Sequence, residues 1–398
     1  MSEQPLNGIR VLDFSRLLPG SYATMLLANL GAEVIKVEMP GGEPGRGMKR
    51  LFELTNSSKK SVTLDLKSPR GQPVLGALLD SADVVFESFR PGVAARLGMG
   101  YSDIAAEHPE LVYCSLTGYG QFGPYAARPG HDLNYLAVAG AVAPRSDGVY
   151  SLSSFPPVDM MAGMWSANAI CAALLGVRSS GRGRYLDVSM TDVAFSMNCI
   201  GVAYSQQPAI PGADAAGESE MGPGLDTVRD FDGYRWPDLL LGEMPAYGVF
   251  ETSDGVPVSL CNIEDKFWRS LVQAVGLPEF EDDRFAVGDR GEEVREALGR
   301  GLRSRPFEHW TRTFEDGDIC FARVNTALTA LEDVYFIERR AREARAQEVN
   351  IGGPSSLFPV YEVEALRSAA PGEHNRDVYG SLGFGSEAID ELAAARVV

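Results

Sequence analysis

Short apolar runs of strand length alternate with helical patterns along the first half of the chain. Residues 8–14 read as a strand, 21–30 as a helix that Gly31 closes, and 33–37 as a second strand. The alternation returns with helices over 70–81 and 93–97, strands over 83–87, 111–116 and 185–188, and a helix opening at Thr191. Strand–helix–strand units of this kind predict an α/β fold with a doubly wound, mainly parallel, Rossmann-like sheet, whose ligands bind at the carboxyl ends of the strands. Residues 160–177 carry no charge and are long enough to cross a membrane. Their Ser166, Asn168, five alanines and two glycines suit a buried, closely packed helix better, so no membrane partner is expected.

The texture changes at 206–238, where Pro208, Pro211, Gly212, Gly217, Gly222, Pro223 and Gly224 fall among acidic and polar residues, as in a long linker. Beyond it, 247–251 and 256–261, joined by Ser253-Asp254-Gly255, predict a hairpin, and helical patterns cover 264–275, 292–302 and 306–314. An amphipathic stretch over 330–346 then leads into the tail. The expected organisation is a large domain over 1–205 completed by 330–398, a linker over 206–240, and a small α+β domain over 241–329. Two domains also suit 398 residues, beyond the usual reach of a single core.

Composition narrows the partners. A net charge of −18 argues against nucleic acid or an anionic membrane, which need a basic surface. Five cysteines lack metal-ligand spacing, so no metal is expected, and their odd number fits reduced thiols in a cytoplasm. Met1-Ser2-Glu3-Gln4-Pro5 shows no signal-peptide pattern. Glu38, at the end of the second strand, is where an acidic residue would hold a nucleotide ribose, yet Ser15-Arg16-Leu17-Leu18-Pro19-Gly20 has one glycine, too few for close approach to a pyrophosphate. Between 46 and 70, seven basic residues face two acidic ones, a local patch for a phosphate-bearing ligand, although any single lysine there reads as solvated surface.

His131 differs from the other three histidines. His108, His309 and His374 sit in polar surroundings and look solvated, whereas His131 lies between a glycine-rich loop and an apolar run at a predicted helix start, as at a pocket wall. Asp159 follows on the next element. A histidine and a carboxylate facing each other across one carbon atom can move a proton between its two faces, which points to an isomerase. Met160, Met161 and Trp165 would shield Asp159 from water and raise its proton affinity. Backbone N–H groups at the start of its helix would hold the developing negative charge.

Several motifs carry a family resemblance: Gly8-Ile9-Arg10-Val11-Leu12-Asp13, Leu30-Gly31-Ala32-Glu33-Val34-Ile35-Lys36-Val37-Glu38, Ser88-Phe89-Arg90-Pro91-Gly92-Val93, Thr117-Gly118-Tyr119-Gly120-Gln121 and Gly130-His131-Asp132-Leu133-Asn134-Tyr135. The chain resembles the class III CoA-transferase (CaiB/BaiF) family, and within it the alpha-methylacyl-CoA racemase branch. The resemblance implies His131 and Asp159 as catalytic residues, Glu264 in Asn262-Ile263-Glu264 orienting the histidine, and CoA along Arg16, Leu64, Lys67, Ser88, Phe89, Arg90 and Arg96. It further implies an interlocked homodimer, an acyl-CoA substrate with no separate cofactor, a place in lipid metabolism, and interconversion of R and S 2-methylacyl-CoA thioesters through an enolate. Met39 and the loop after Asp159 depart from the racemase pattern. The alternatives are acyl-CoA:carboxylate CoA transfer with Asp159 as nucleophile, and a catalytically silent CoA-binding homologue.

Overall fold

A computed structural model describes residues 4–145, 147–205, 239–315, 317–338 and 366–398. The chain divides into two compact units, one of Met1–Ala139, Ser153–Met197 and Val334–Val398, the other of Gly140–Leu152 and Asn198–Asp333. The expected linker lies outside the described residues except for Leu239 and Leu240.

In the first unit, β1 (Arg10–Phe14), α1 (Leu17–Asn29), β2 (Glu33–Glu38), α2 (Lys49–Asn56), β3 (Lys60–Thr63), α3 (Gln72–Asp80), β4 (Val84–Glu87), α4 (Val93–Arg96), α5 (Tyr101–Ile104) and β5 (Val112–Thr117) follow one another. They continue into α6 (Asp132–Val138), α7 (Pro157–Ser180), β6 (Tyr185–Ser189) and α8 (Met190–Met197). The six strands lie in the order β3-β2-β1-β4-β5-β6, and every pairing is parallel. Strand runs such as Val11-Leu12 and Val84-Val85 are apolar at successive positions because the sheet is covered on both faces. Val11, Val34, Val84 and Val112 pack towards α1 and α7, whereas Leu12, Ile35, Val85 and Tyr113 pack towards α3 and the helices Asn375–Ser381 and Ser386–Ala394.

The strand order turns back between β1 and β4, the switch point at which a crevice opens beyond the strand ends. The two loops there are joined, since the Arg16 backbone N–H donates to Ser88 Oγ at 2.9 Å. Leu17, at the mouth, takes a left-handed conformation with φ 65°, which costs a leucine about 1–2 kcal/mol.

The sequence pattern did not show α2 or β3, because charged residues occupy buried positions in this stretch. Lys59 is 5% exposed, against the expectation of a solvated lysine. Its Nζ lies 3.0 Å from the Asp13 carboxylate and also donates to the Ser21 carbonyl, Thr24 Oγ1 and Asn56 Oδ1. Lys36, equally buried, pairs with Glu43 at 3.1 Å and donates to the Ser15 carbonyl. The basic cluster therefore disperses: Arg46 is held by Glu38, Lys60 by Glu33, and Lys49 faces Glu53. Glu38, engaged by Arg46, Ser61 and the Glu43 backbone, is not placed to hold a ribose.

The outer edge of β3 is sealed by the tail. Ser61 N–H donates to His374 Nδ1 and Thr63 N–H to Asn375 Oδ1, while Tyr379 donates to the Thr63 carbonyl and Asp65 N–H to the Val397 carbonyl. His374 is thus part of an edge cap and not a solvated side chain. His108 is mostly buried as well, with Asp80 at 3.8 Å.

Helix α7 is long and apolar enough to cross a membrane by length and composition. The closely packed helix expected there is buried on one side only. Val158, Ala162, Ile170 and Leu174 join the core that includes Ala23 and Leu27 of α1, but Met164, Trp165 and Leu175 are exposed.

In the second unit, β7 (Tyr247–Glu251) and β8 (Pro257–Cys261) form the expected hairpin, and β9 (Phe321–Arg323), too short to leave a pattern, pairs antiparallel with β8. Helices Asp265–Val275, Gly288–Leu302 and Phe307–Glu315 supply Trp268, Leu271, Val294, Leu298 and Trp310 to its core. Of the amphipathic stretch at 330–346, residues from 339 onward lie outside the described ones.

Candidate active site

His131 is the N-cap residue of α6, with extended backbone angles of φ −130° and ψ 173°. Its backbone N–H donates to Asn134 Oδ1 at 3.0 Å, which fixes the entry to the helix. Helix α7 begins differently. Pro156 at its N-cap has no side-chain oxygen to offer, and Pro157 has no N–H, so the first free donors are Val158 and Asp159. Both donate to Asp132 Oδ1, at 2.7 and 3.0 Å. Asp132 thereby ties the element that carries His131 to the one that carries Asp159.

His131 and Asp159 line one cavity of about 340 Å³ at the switch point, together with Arg16, Ser88, Phe89 and Arg90. The glycine-rich loop after β5 reaches the same cavity because Tyr135 inserts between its ends. A side chain at Gly118 or Gly130 would come within 2.5 or 2.7 Å of the Tyr135 ring. Tyr135 donates to the Gly130 carbonyl and meets Tyr119 edge-on.

Burial pushes the Asp159 carboxyl up to about 6, and the like charge of Asp132 adds to the rise, while His131 opposes it. The expected gain in proton affinity is present, but the shielding does not come from Trp165, which is 47% exposed. Asp132→Asn keeps an oxygen for the two N–H groups and removes the charge, so the Asp159 titration should move to lower pH. If Asp159 serves as a catalytic base, the pH–rate limb it sets should move the same way; an unmoved limb would remove Asp132 from this role.

The N–H groups at the start of α7 do not serve the role expected of them. The N–H groups of Val158 and Asp159 are both taken by Asp132, and Met160 N–H bonds to the Pro156 carbonyl, so the start of α7 offers no free donor to a thioester oxygen. The cavity wall does contain Thr117, whose buried hydroxyl has no hydrogen-bond partner among the described residues.

The residues assigned to CoA fall into two groups. Arg16, Ser88, Phe89 and Arg90 line the cavity with His131, and a second cavity of about 140 Å³ shares Arg16 and Phe89 and adds Leu64, Lys67 and Met39. The Arg16 guanidinium stands 5.5 Å over the Phe89 ring. Arg96 is exposed on α4 and lines neither cavity. Glu264 belongs to the second unit, where it is the N-cap residue of Asp265–Val275. Asp132 and Thr117 fall within the family motifs, but the sequence assigned neither of them a role. The signal for Asp132 was the Pro156-Pro157 pair, a helix start that cannot cap itself and must be capped from elsewhere in the chain.

The sequence profile of CoA-transferase family III matches residues 6–375. The chain belongs to that family. A probable fatty acyl-CoA transferase of Mycobacterium tuberculosis is 33% identical over 84% of this chain and 86% of its own length. Human alpha-methylacyl-CoA racemase is 28% identical, covering 99% of this chain and 97% of its own. Mouse succinyl-CoA:glutarate CoA-transferase is 29% identical, covering 100% and 91%. A crystal structure of the mycobacterial protein superposes with a TM-score of 0.67 at 31% identity, covering 85% of this chain and 87% of that one. A CaiB/BaiF family protein from Brucella suis shares the fold with a TM-score of 0.73 at 23% identity, covering 96% and 100%. The protein is thus an enzyme of a family that contains both racemases and CoA-transferases.

Proposed function

We propose that this family III enzyme is a racemase that interconverts the R and S forms of a 2-methylacyl-CoA by two-base proton transfer. The observation that carries the reading is the placement of His131 and a carboxyl with a pKa raised to about 6 in one cavity. A group titrating near neutrality suits a residue that must take a proton in one direction and return it in the other. One of the pair removes the α-proton, an enolate of the thioester forms, and the conjugate acid of the other protonates the opposite face. CoA is assigned to the two linked cavities, with its charged groups towards Arg16, Lys67 and Arg90. The role of Glu264 and the interlocked homodimer rest on the family resemblance alone.

The test is incorporation of solvent deuterium at the α-carbon of a 2-methylacyl-CoA with no carboxylate acceptor present. Exchange at background, alongside transfer of CoA to an added carboxylate, overturns the reading in favour of the transferase. Background exchange with no transfer, in protein that still binds the thioester, leaves the silent homologue. Arg90→Ala and Lys67→Ala should each weaken thioester binding by about 1–3 kcal/mol if a charged hydrogen bond to phosphate is lost. Turnover at saturation should change less, because these residues would hold the carrier and not the reacting carbon. Titration calorimetry with the thioester reads the binding; unchanged affinity in both variants moves the carrier site elsewhere.

A further inference from the structure

The second unit holds a pair of thiols that the proposed chemistry does not use. β8 and β9 pair with Leu260 opposite Phe321 and Ser259 opposite Ala322. The next step of the same register sets Cys261 opposite Cys320, and the backbone N–H of Cys261 donates to the Cys320 carbonyl at 3.2 Å. Residues directly opposite in an antiparallel pair point to the same face. Val258 and Leu260 are buried in the core of this unit, so Ser259 and Cys261 project from the other face, and both cysteines are free and partly exposed. The turn beyond them is braced by Asn262, whose side chain accepts from the Cys320 N–H at 2.9 Å and donates back to the Cys320 carbonyl.

We propose that Cys261 and Cys320 are a reversible redox site, closed to a cross-strand disulfide by a low-molecular-weight disulfide of the glutathione type. A thiolate of the pair attacks the small disulfide, one reduced small thiol leaves, and the second protein thiolate displaces the other. Two S–H bonds are lost, one protein S–S bond forms, two electrons pass to the small disulfide, and the protons leave with the two small thiols or to solvent. Directly opposed residues of an antiparallel pair have Cα atoms about 4.5–5.5 Å apart, inside the range disulfides span, while their Cβ atoms, at a similar spacing, must draw together by roughly 1 Å. A bond closed against that resistance is readily reduced, the property of a switch and not of a permanent staple. Burial raises both thiols above their ordinary range; Cys320 and then Glu264 add to the rise at Cys261, while Glu264 and Asp318 add to it at Cys320 and Lys266 opposes it there. The resting pair is therefore held as thiols. Closure would tie β9 to the start of the Asn262 turn from which Glu264 opens its helix.

The experiment treats the intact protein with oxidised glutathione at mildly alkaline pH, alkylates the remaining thiols and maps the peptides by mass spectrometry. The expected result is a 261–320 cross-linked peptide lighter by two hydrogens, reversed by dithiothreitol, lost in Cys320→Ser and retained in Cys199→Ser. Cys199 is exposed and serves as the internal control. Alkylatable Cys261 and Cys320 in protein whose Cys199 is glutathionylated, or separate glutathione adducts on the two, overturns the proposal. The readout is independent of which reaction the enzyme catalyses.

Discussion

Replacing His131 by alanine is expected to slow interconversion of the two thioester enantiomers by about 10²- to 10⁴-fold in both directions, the usual weight of one general acid–base group. Each direction needs one group to take the proton and the other to return it. Loss of the α-proton from the enantiomer whose hydrogen faces Asp159 should survive in part, because that step needs Asp159 alone. Asp159→Asn removes the complementary half and should spare exchange from the other enantiomer. Chiral separation of the products combined with deuterium counting distinguishes the two losses. CoA transfer makes the opposite demand: hydroxylamine would trap an acylated Asp159, and His131→Ala would keep its activity. An acylated peptide containing Asp159, together with an active His131→Ala variant, sinks the two-base mechanism.

Lys59→Met is expected to destabilise the protein by about 3–5 kcal/mol at neutral pH, as when one partner of a buried ion pair is removed. Asp13 is fully buried and, among the described residues, keeps only Lys36, at 3.8 Å, as a cationic neighbour. Burial alone would push the Asp13 carboxyl up, but Lys36, Lys59 and the hydroxyls of Ser15 and Thr24 outweigh it and hold it well below the ordinary carboxylate range. A carboxyl depressed in the folded state contributes stability above its unfolded pKa of about 4 and loses it as pH falls further. The gap between parent and variant should therefore narrow in acid. Burial pulls Lys59 down to about 8 against the attraction of Asp13, so the ammonium is present at pH 7. Urea titrations at pH 7 and pH 3.5 read both effects; a variant within about 0.5 kcal/mol of the parent at pH 7 would make the network dispensable.

The parallel sheet was legible because β1, β2, β4 and β5 are short apolar runs separated by helical periods. β3 was hidden since Lys59 and Lys60 stand where an apolar pattern was sought, and a buried lysine shows itself only through partners such as Asp13, 46 residues away. His131 and Asp159 were legible by residue type and by the elements on which they fall. The use of the helix N–H groups was not, because Asp132 reaches them across 26 and 27 residues, and no local pattern records such a bond. Arg96 follows closely on the Ser88-Phe89-Arg90-Pro91 run that lines the cavity, yet it stands exposed on α4 and away from them.

The seal on β3 has a consequence for biosynthesis. The N–H groups of Ser61 and Thr63 find their partners in His374 and Asn375, more than 300 residues later in the chain. During translation all six strands of the sheet emerge before this seal, so they can pair while this edge stays open, a template for pairing with another nascent chain. Substitutions at His374 or Asn375 should accordingly lower the yield of soluble protein from the ribosome more than they lower the stability of the finished molecule.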